Sequence, residues 1–180
     1  LGDEGYQIEW RVVNAADYGF PQRRIRVFIV GIKTRTPIRD PQKYIFKEGI
    51  LARALPISED ILDASDFQLD ELATDISRNF NKGASKSPFL NSGLYVKGHI
   101  FTYKTKSNYG GTVQVLGDVM QNDSEVPSEF FVDSSKIPDW EYLKGAKAVE
   151  RMHKGSGTSY LYAEGKMAFP DSLEKPSRTI

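Results

Sequence analysis

The chain of 180 residues has no cysteine and only two histidines. Without thiols it has no disulfide framework, no Cys-bound zinc and no thiolate nucleophile of its own. His99 and His153 lack a second ligand at useful spacing, so no metal is expected. No apolar run reaches the roughly 18 residues needed to cross a bilayer, and no basic n-region is followed by an apolar h-region, so no signal peptide is expected within these residues. No membrane partner is therefore expected. The lack of disulfides fits a cytoplasmic protein. Net charge is also missing, with 24 Lys+Arg against 24 Asp+Glu, but a sum says nothing about distribution. The chain begins at Leu1, not Met, and stops at Thr179-Ile180 without a turn signal, so a piece of a longer protein is expected. What is present, 39% hydrophobic, 12% aromatic and 27% charged residues, suits a globular chain that buries a core.

The neutral total hides segregation. Glu48 to Asp75 holds eight acidic residues and one basic residue, Arg53. Ile76 to Gly117, a window of 42 residues, has no Asp or Glu. Within it stand Arg78, Lys82, Lys86, Lys97, Lys104 and Lys106. Asp118 to Glu141 is acidic again, and Lys144, Lys147, Arg151, His153 and Lys154 follow. An acid-free stretch is either a surface for a polyanion or a solvated face whose charges mix in space.

Residues 6–13 alternate apolar and polar with period two, which predicts a half-buried strand. Residues 14–20 read as a short helical turn ending near Gly19, and 24–32 as a strand buried on both faces. Leu69, Leu72, Ile76 and Phe80 predict an amphipathic helix over 68–80. Residues 93–104 read as one strand in which Tyr95, Phe101 and Tyr103 interleave with Lys97, His99 and Lys104. A helix is expected over 138–151 and a short aromatic strand over 159–163. Glu59, Asp60, Asp63 and Asp66 read as a solvated helix flank. Buried-strand character stops around Thr34–Pro41.

The densest signal runs from Asn14 to Gly31 and contains Gly19-Phe20-Pro21-Gln22-Arg23-Arg24-Ile25-Arg26. At a strand entry Gln22, Arg24 and Arg26 point to one side, because side chains alternate. Two guanidiniums there call for an anion or carboxylate facing them. On the residues alone, pairing with local Asp or Glu is the competing reading.

The whole string from Gly5-Tyr6 to Gly31 resembles the motif VIII region of the DNA cytosine-5 methyltransferases. That family shows a GY strand, an N-A-x-x-Y-G-x-P-Q-x-R-x-R turn and a V-F/I-x-V-G strand. The resemblance implies that residues 1–35 belong to a Rossmann-like catalytic domain. It implies that Arg26 approaches the carbonyl oxygen of a flipped cytosine, Arg24 a phosphate or partner carboxylate, and that Gln22 shapes the pocket. Lys175-Pro176-Ser177-Arg178-Thr179-Ile180 resembles the family's phosphate-contacting Thr-Leu/Ile/Val element. By position, 36–180 then corresponds to a target recognition domain, incomplete at its C-terminus, with a recognition loop within about Lys154–Phe169. The fold implied is α+β: a small, strand-rich recognition domain with a β-hairpin belonging to the sheet of an absent catalytic domain.

Several family elements are missing: the F-x-G-x-G loop for S-adenosylmethionine, the P-C-Q nucleophile, the E-N-V element and the terminal Gly-Asn segment. The family's reaction is thiolate attack on C6, methyl transfer to C5 and β-elimination. The residues present therefore imply inactivity alone, with S-adenosylmethionine bound only by the full-length enzyme. The expected partners are double-stranded DNA and the rest of the catalytic domain, in a bacterial cytoplasm with a restriction–modification role. Candidate DNA contacts are Thr179, Arg178, Lys97, Lys104, Lys106, Lys154 and Lys166. Tyr95, Phe101 and Tyr103 are expected to pack within the fold. Gly155-Ser156-Gly157-Thr158 reads as a recognition or hairpin loop rather than a phosphate loop. An RNA cytosine methyltransferase of the same fold and a non-catalytic interaction module are the rival readings.

Overall fold

The computed structural model describes residues 1–69, 75 and 87–178. Thr179 and nearly all of the helix expected over 68–80 lie outside the described residues. The architecture is α+β and strand-rich. Strands β1 (Tyr6–Asn14), β3 (Ile25–Lys33), β4 (Asp63–Gln68), β5 (Ser92–Val96) and β6 (His99–Lys104) form an antiparallel sheet in the order β3-β1-β5-β6-β4. The β1–β3 hairpin pairs Tyr6 with Lys33 at one end and Asn14 with Ile25 at the other. The sheet continues across position 35, because β1 also pairs with β5.

The alternation in β1 is real, but the face it buries is the polar one. Gln7, Glu9, Arg11 and Val13 are buried, while Tyr6, Ile8, Trp10 and Val12 are half-exposed. The reason is a helical layer laid across that face: α1 (Pro41–Lys43), a π-helical turn (Tyr44–Glu48) and α2 (Ile50–Ala54). Such short helices leave many backbone groups without intrahelical partners. The buried side chains of β1 supply them. Arg11 donates to Ile45 O at 2.7 Å, to Leu51 O at 3.0 Å and to Leu55 O. Leu51 N donates to Glu9 Oε2 at 3.1 Å. Gln7 accepts from Ile38 N and donates to Thr36 O, both at 2.8 Å. Ile45, Ile57, Leu94 and Val96 complete the core beneath, with Phe101 and Tyr103 packed on it as expected.

Four expectations are corrected. Residues 93–104 are a hairpin, not one strand, because Lys97 (φ 48) and Gly98 (φ 84) turn the chain between β5 and β6. Paired positive-φ residues form the tight turn whose twist suits a two-residue hairpin loop. The acidic run is not a helix flank: Asp63 and Asp66 lie in β4, against β6. The helix of 138–151 is only α3 (Ile137–Lys144). Gly145 turns extended, and 147–152 become β7 (Lys147–Met152), paired with β8 (Ser159–Glu164). The strand at 24–32 appears as β3, but Ile25, Val27, Phe28 and Ile29 are exposed rather than buried. Among the described residues, β3 has no partner along its outer edge. No described helix is long and apolar enough to cross a membrane.

Candidate nucleic-acid interface

The turn carrying Gln22, Arg24 and Arg26 is built by β1 and a 3-10 turn at Ala15–Tyr18, closed by Gly19 at φ 87. A Cβ on Gly19 would sit 2.5 Å from Thr112 O, so the glycine is required by both angle and space. Gln114 N donates to Gly19 O at 2.9 Å, and Tyr18 OH donates to Pro56 O at 3.1 Å. These bonds anchor the turn to segments 56 and 114.

Pro21 then releases the chain into β2 (Gln22–Arg23), which pairs in parallel with β9 (Ser177–Arg178). Ser177 N donates to Pro21 O at 2.8 Å. Two sequence elements separated by about 150 residues thus lie side by side, and Thr179 follows directly. Arg24 lies between β2 and β3 and Arg26 within β3, both exposed. Among the described residues the Arg26 side chain donates only to its neighbour's carbonyl, Ile25 O, at 2.7 Å. Among the described residues neither makes an ion pair, so local Asp or Glu does not neutralise them. Arg178 is engaged instead. It donates through Nε to Asp171 Oδ1 at 2.9 Å and also to Ala168 O, which ties down the 168–171 turn.

The acid-free window is not acid-free in space. Asp63 lies opposite Lys104, and His99 Nε2 sits 3.1 Å from Asp66 Oδ2 while stacking on Phe101. Lys97 is at the β5–β6 turn and Lys104 at the far end of β6, with Lys106 just beyond. The lysines therefore do not form one row. Lys154 sits at the tip of the β7–β8 ribbon and Lys166 follows β8, both exposed.

One cavity lies at the start of β1 and another beside the Tyr18–Phe20 turn. One, about 480 Å³, is lined by Tyr6, Lys33, Arg35 and Lys97 among others; the second, about 640 Å³, by Tyr18, Phe20, Leu55 and Tyr109 among others. Neither lining includes a carboxylate to hold ribose hydroxyls, and the first is lined by three cations, Lys33, Arg35 and Lys97, which repel a sulfonium. These cavities do not fit S-adenosylmethionine, so no step is derived through it here. Among the described residues no group of His, Asp and Glu could hold a metal.

Two arrangements escaped sequence reasoning. The Glu9–Arg11 pair, 3.8 Å apart and 2% and 1% exposed, looked like the solvent face of β1. Burial pushes the Glu9 carboxyl up and the Arg11 guanidinium down from their ordinary values. The second is Arg151, whose guanidinium carbon lies 3.6 Å from the Tyr162 ring centroid. Only the β7–β8 register reveals it.

A family model for C-5 cytosine-specific DNA methylases matches residues 1–167. Over all of its length the chain is 38% identical to the type II methyltransferase M.Sau3AI of Staphylococcus aureus, of which it spans 43%. It is 61% identical over 31 residues to the type II methyltransferase M.MthTI of Methanothermobacter thermautotrophicus, covering 17% of this chain and 9% of that one. It is 52% identical over 33 residues to the putative type II methyltransferase M.OihORF3336P of Oceanobacillus iheyensis, covering 18% and 7%. The chain thus spans less than half the length of each relative. No solved structure matches it.

Proposed function

The chain belongs to the C-5 cytosine-specific DNA methylases, and we propose that it binds DNA and selects the target sequence within such an enzyme. The full-length enzyme transfers a methyl group from S-adenosylmethionine to C5 of cytosine, as the bacterial, cytoplasmic modification partner of a restriction enzyme. The type II relatives support this. Residues 1–35 belong to the catalytic domain and 36–180 to the recognition domain. In support, β3 bares apolar side chains and, among the described residues, an unpaired outer edge, as a strand does when its sheet continues beyond it.

One observation carries the reading: the parallel pairing of β2 with β9, which sets the Gln22–Arg26 turn beside Ser177–Arg178. A base flipped from a duplex needs donors at its polar edge and cations for its strand, close together. Arg26 donates to the base carbonyl, Arg24 meets a phosphate or partner carboxylate, and Gln22 shapes the pocket. Thr179, next in sequence after Arg178, adds a phosphate contact. With no nucleophilic Cys in the chain, these residues alone turn nothing over. The β7–β8 ribbon favours duplex DNA over RNA, because a two-stranded ribbon enters the B-form major groove and not the deep, narrow A-form one.

The test is methyl transfer by the full-length enzyme to duplex DNA and to tRNA. Arg26→Ala should lower kcat by about 10²-fold, the scale for removing one donor at a developing charge. Preferred turnover on tRNA, or unchanged kcat in Arg26→Ala, would end this reading.

A further inference from the structure

We propose that Arg151 reads a guanine of the target sequence from the major groove, an inference that rests on the DNA-recognition reading above. Cross-strand partners share a face of a ribbon, so Lys147, Arg151, Tyr160, Tyr162 and Glu164 lie on one side of β7–β8. Tyr162 is the diagonal neighbour of Arg151, and the guanidinium stacks on its ring. Glu164 is the only carboxylate on this face, and it is already engaged. The Tyr162 hydroxyl donates to Oε1, and Lys147 Nζ lies 3.0 Å from Oε2. These two donors hold the Glu164 carboxyl below its ordinary range, so it stays an acceptor.

Arg151 is thereby fixed in plane but left without a hydrogen bond or ion pair among the described residues. A free arginine loses rotamer entropy when it is immobilised. Stacking removes part of that loss before DNA arrives. The fork of N–H groups matches O6 and N7 of guanine, the commonest specific contact in the major groove. The ribbon is shaped to bring it there. Its tip is closed by His153 N to Thr158 O at 2.9 Å, with Gly157 at φ 66, so the small residues Gly155, Ser156 and Gly157 follow Lys154 at the leading end.

The test uses the full-length enzyme and a duplex carrying its own methylation site. Each guanine is replaced in turn by 7-deazaguanine, which lacks the N7 acceptor but still pairs. At one guanine the wild-type enzyme should lose about 5- to 150-fold in affinity, the range for one bidentate pair. Arg151→Ala should bind the unmodified site about as weakly and lose nothing further at that position. Tyr162→Phe keeps the ring and should keep the discrimination. If Arg151→Ala retains the penalty at every guanine, Arg151 does not read the base. If it instead weakens all sequences equally and lowers the salt slope, Arg151 contacts phosphate, and the proposal also fails. A wild-type enzyme without sequence preference would overturn the recognition reading itself.

Discussion

Every buried residue among those described lies between Gln7 and Thr105, while from Lys106 to Arg178 none is buried. The first region has a layer on its sheet: Ile45, Ile57, Leu94 and Val96 fill the space between β-strands and the short helices. The second has a helix of eight residues and an isolated two-stranded ribbon, with Met152 and Leu161 at 73% and 70% exposure. A lone ribbon is marginal in water. The first region holds its shape by its own burial, and the second presents side chains for something else to cover. The proposed selection of a DNA sequence would belong on the second kind of surface, because readout needs polar and cationic groups that the fold has not consumed.

The largest break in that contrast should come from Arg11→Ala. Removing it takes donors from three helix-end carbonyls and leaves Glu9 buried beside no cation. Breaking a buried pair this way costs about 3–5 kcal/mol. Hydrogen exchange at the Leu94 and Thr102 amides of the full-length protein should report it as lost protection. A change below about 1 kcal/mol would mean that the polar face of β1 contributes little beyond what any half-buried strand gives.

A matched pair of truncations sharpens the contrast next. Leu94→Ala, in the core, should cost about 2–5 kcal/mol through lost transfer energy and a cavity. Leu161→Ala, on the ribbon, should stay within about 0.5 kcal/mol in DNA-free protein. Comparable losses at both sites would show that the ribbon is buried against another part of the full-length protein.

Legibility in the sequence divides along the same line. The strands at 6–13, 24–32 and 159–163 were readable because alternation is local. The buried face of β1 was not, since its partners Thr36, Ile45 and Leu51 lie some 30 to 40 residues on. Hydrophobicity alone assigned Gln7, Glu9 and Arg11 to solvent, and helix-end backbone groups reversed that. Gly145 and the Lys97-Gly98 pair each redirected the chain where periodicity ran on, and a single turn residue outweighs a pattern. The Gln22–Arg26 turn was legible as a motif. Its pairing with Ser177–Arg178 is a non-local contact whose geometry periodicity does not carry.

Charge tests the second region more gently. Lys154, exposed at the ribbon tip, should contact phosphate if the ribbon enters a groove. Lys154→Gln should then lower the slope of log K against log[salt] by about 1 and weaken all sequences alike. Lys104→Gln should change the slope less, because Asp63 lies opposite it in β4. Equal effects at both lysines would place the first region's sheet on DNA as well and blur the division.

The smallest effect is a pH dependence confined to the first region. Burial raises the Glu9 pKa, and this outweighs the Leu51 amide and Arg11, which lower it. A carboxyl whose pKa is higher folded than unfolded binds more protons in the folded state between the two values. Stability then falls as pH rises from the ordinary glutamate range through the raised value. Arg11 does not offset this, because burial lowers its pKa from an ordinary value far above the carboxylate range. Glu9→Gln cannot ionise, so its protection at the Leu51 amide, corrected for intrinsic exchange, should lose that slope while the ribbon amides keep theirs. A slope that survives the substitution would assign the titration to groups outside β1. The buried polar face would then be held together independently of the Glu9 charge, by the hydrogen bonds of Arg11 and Gln7 alone.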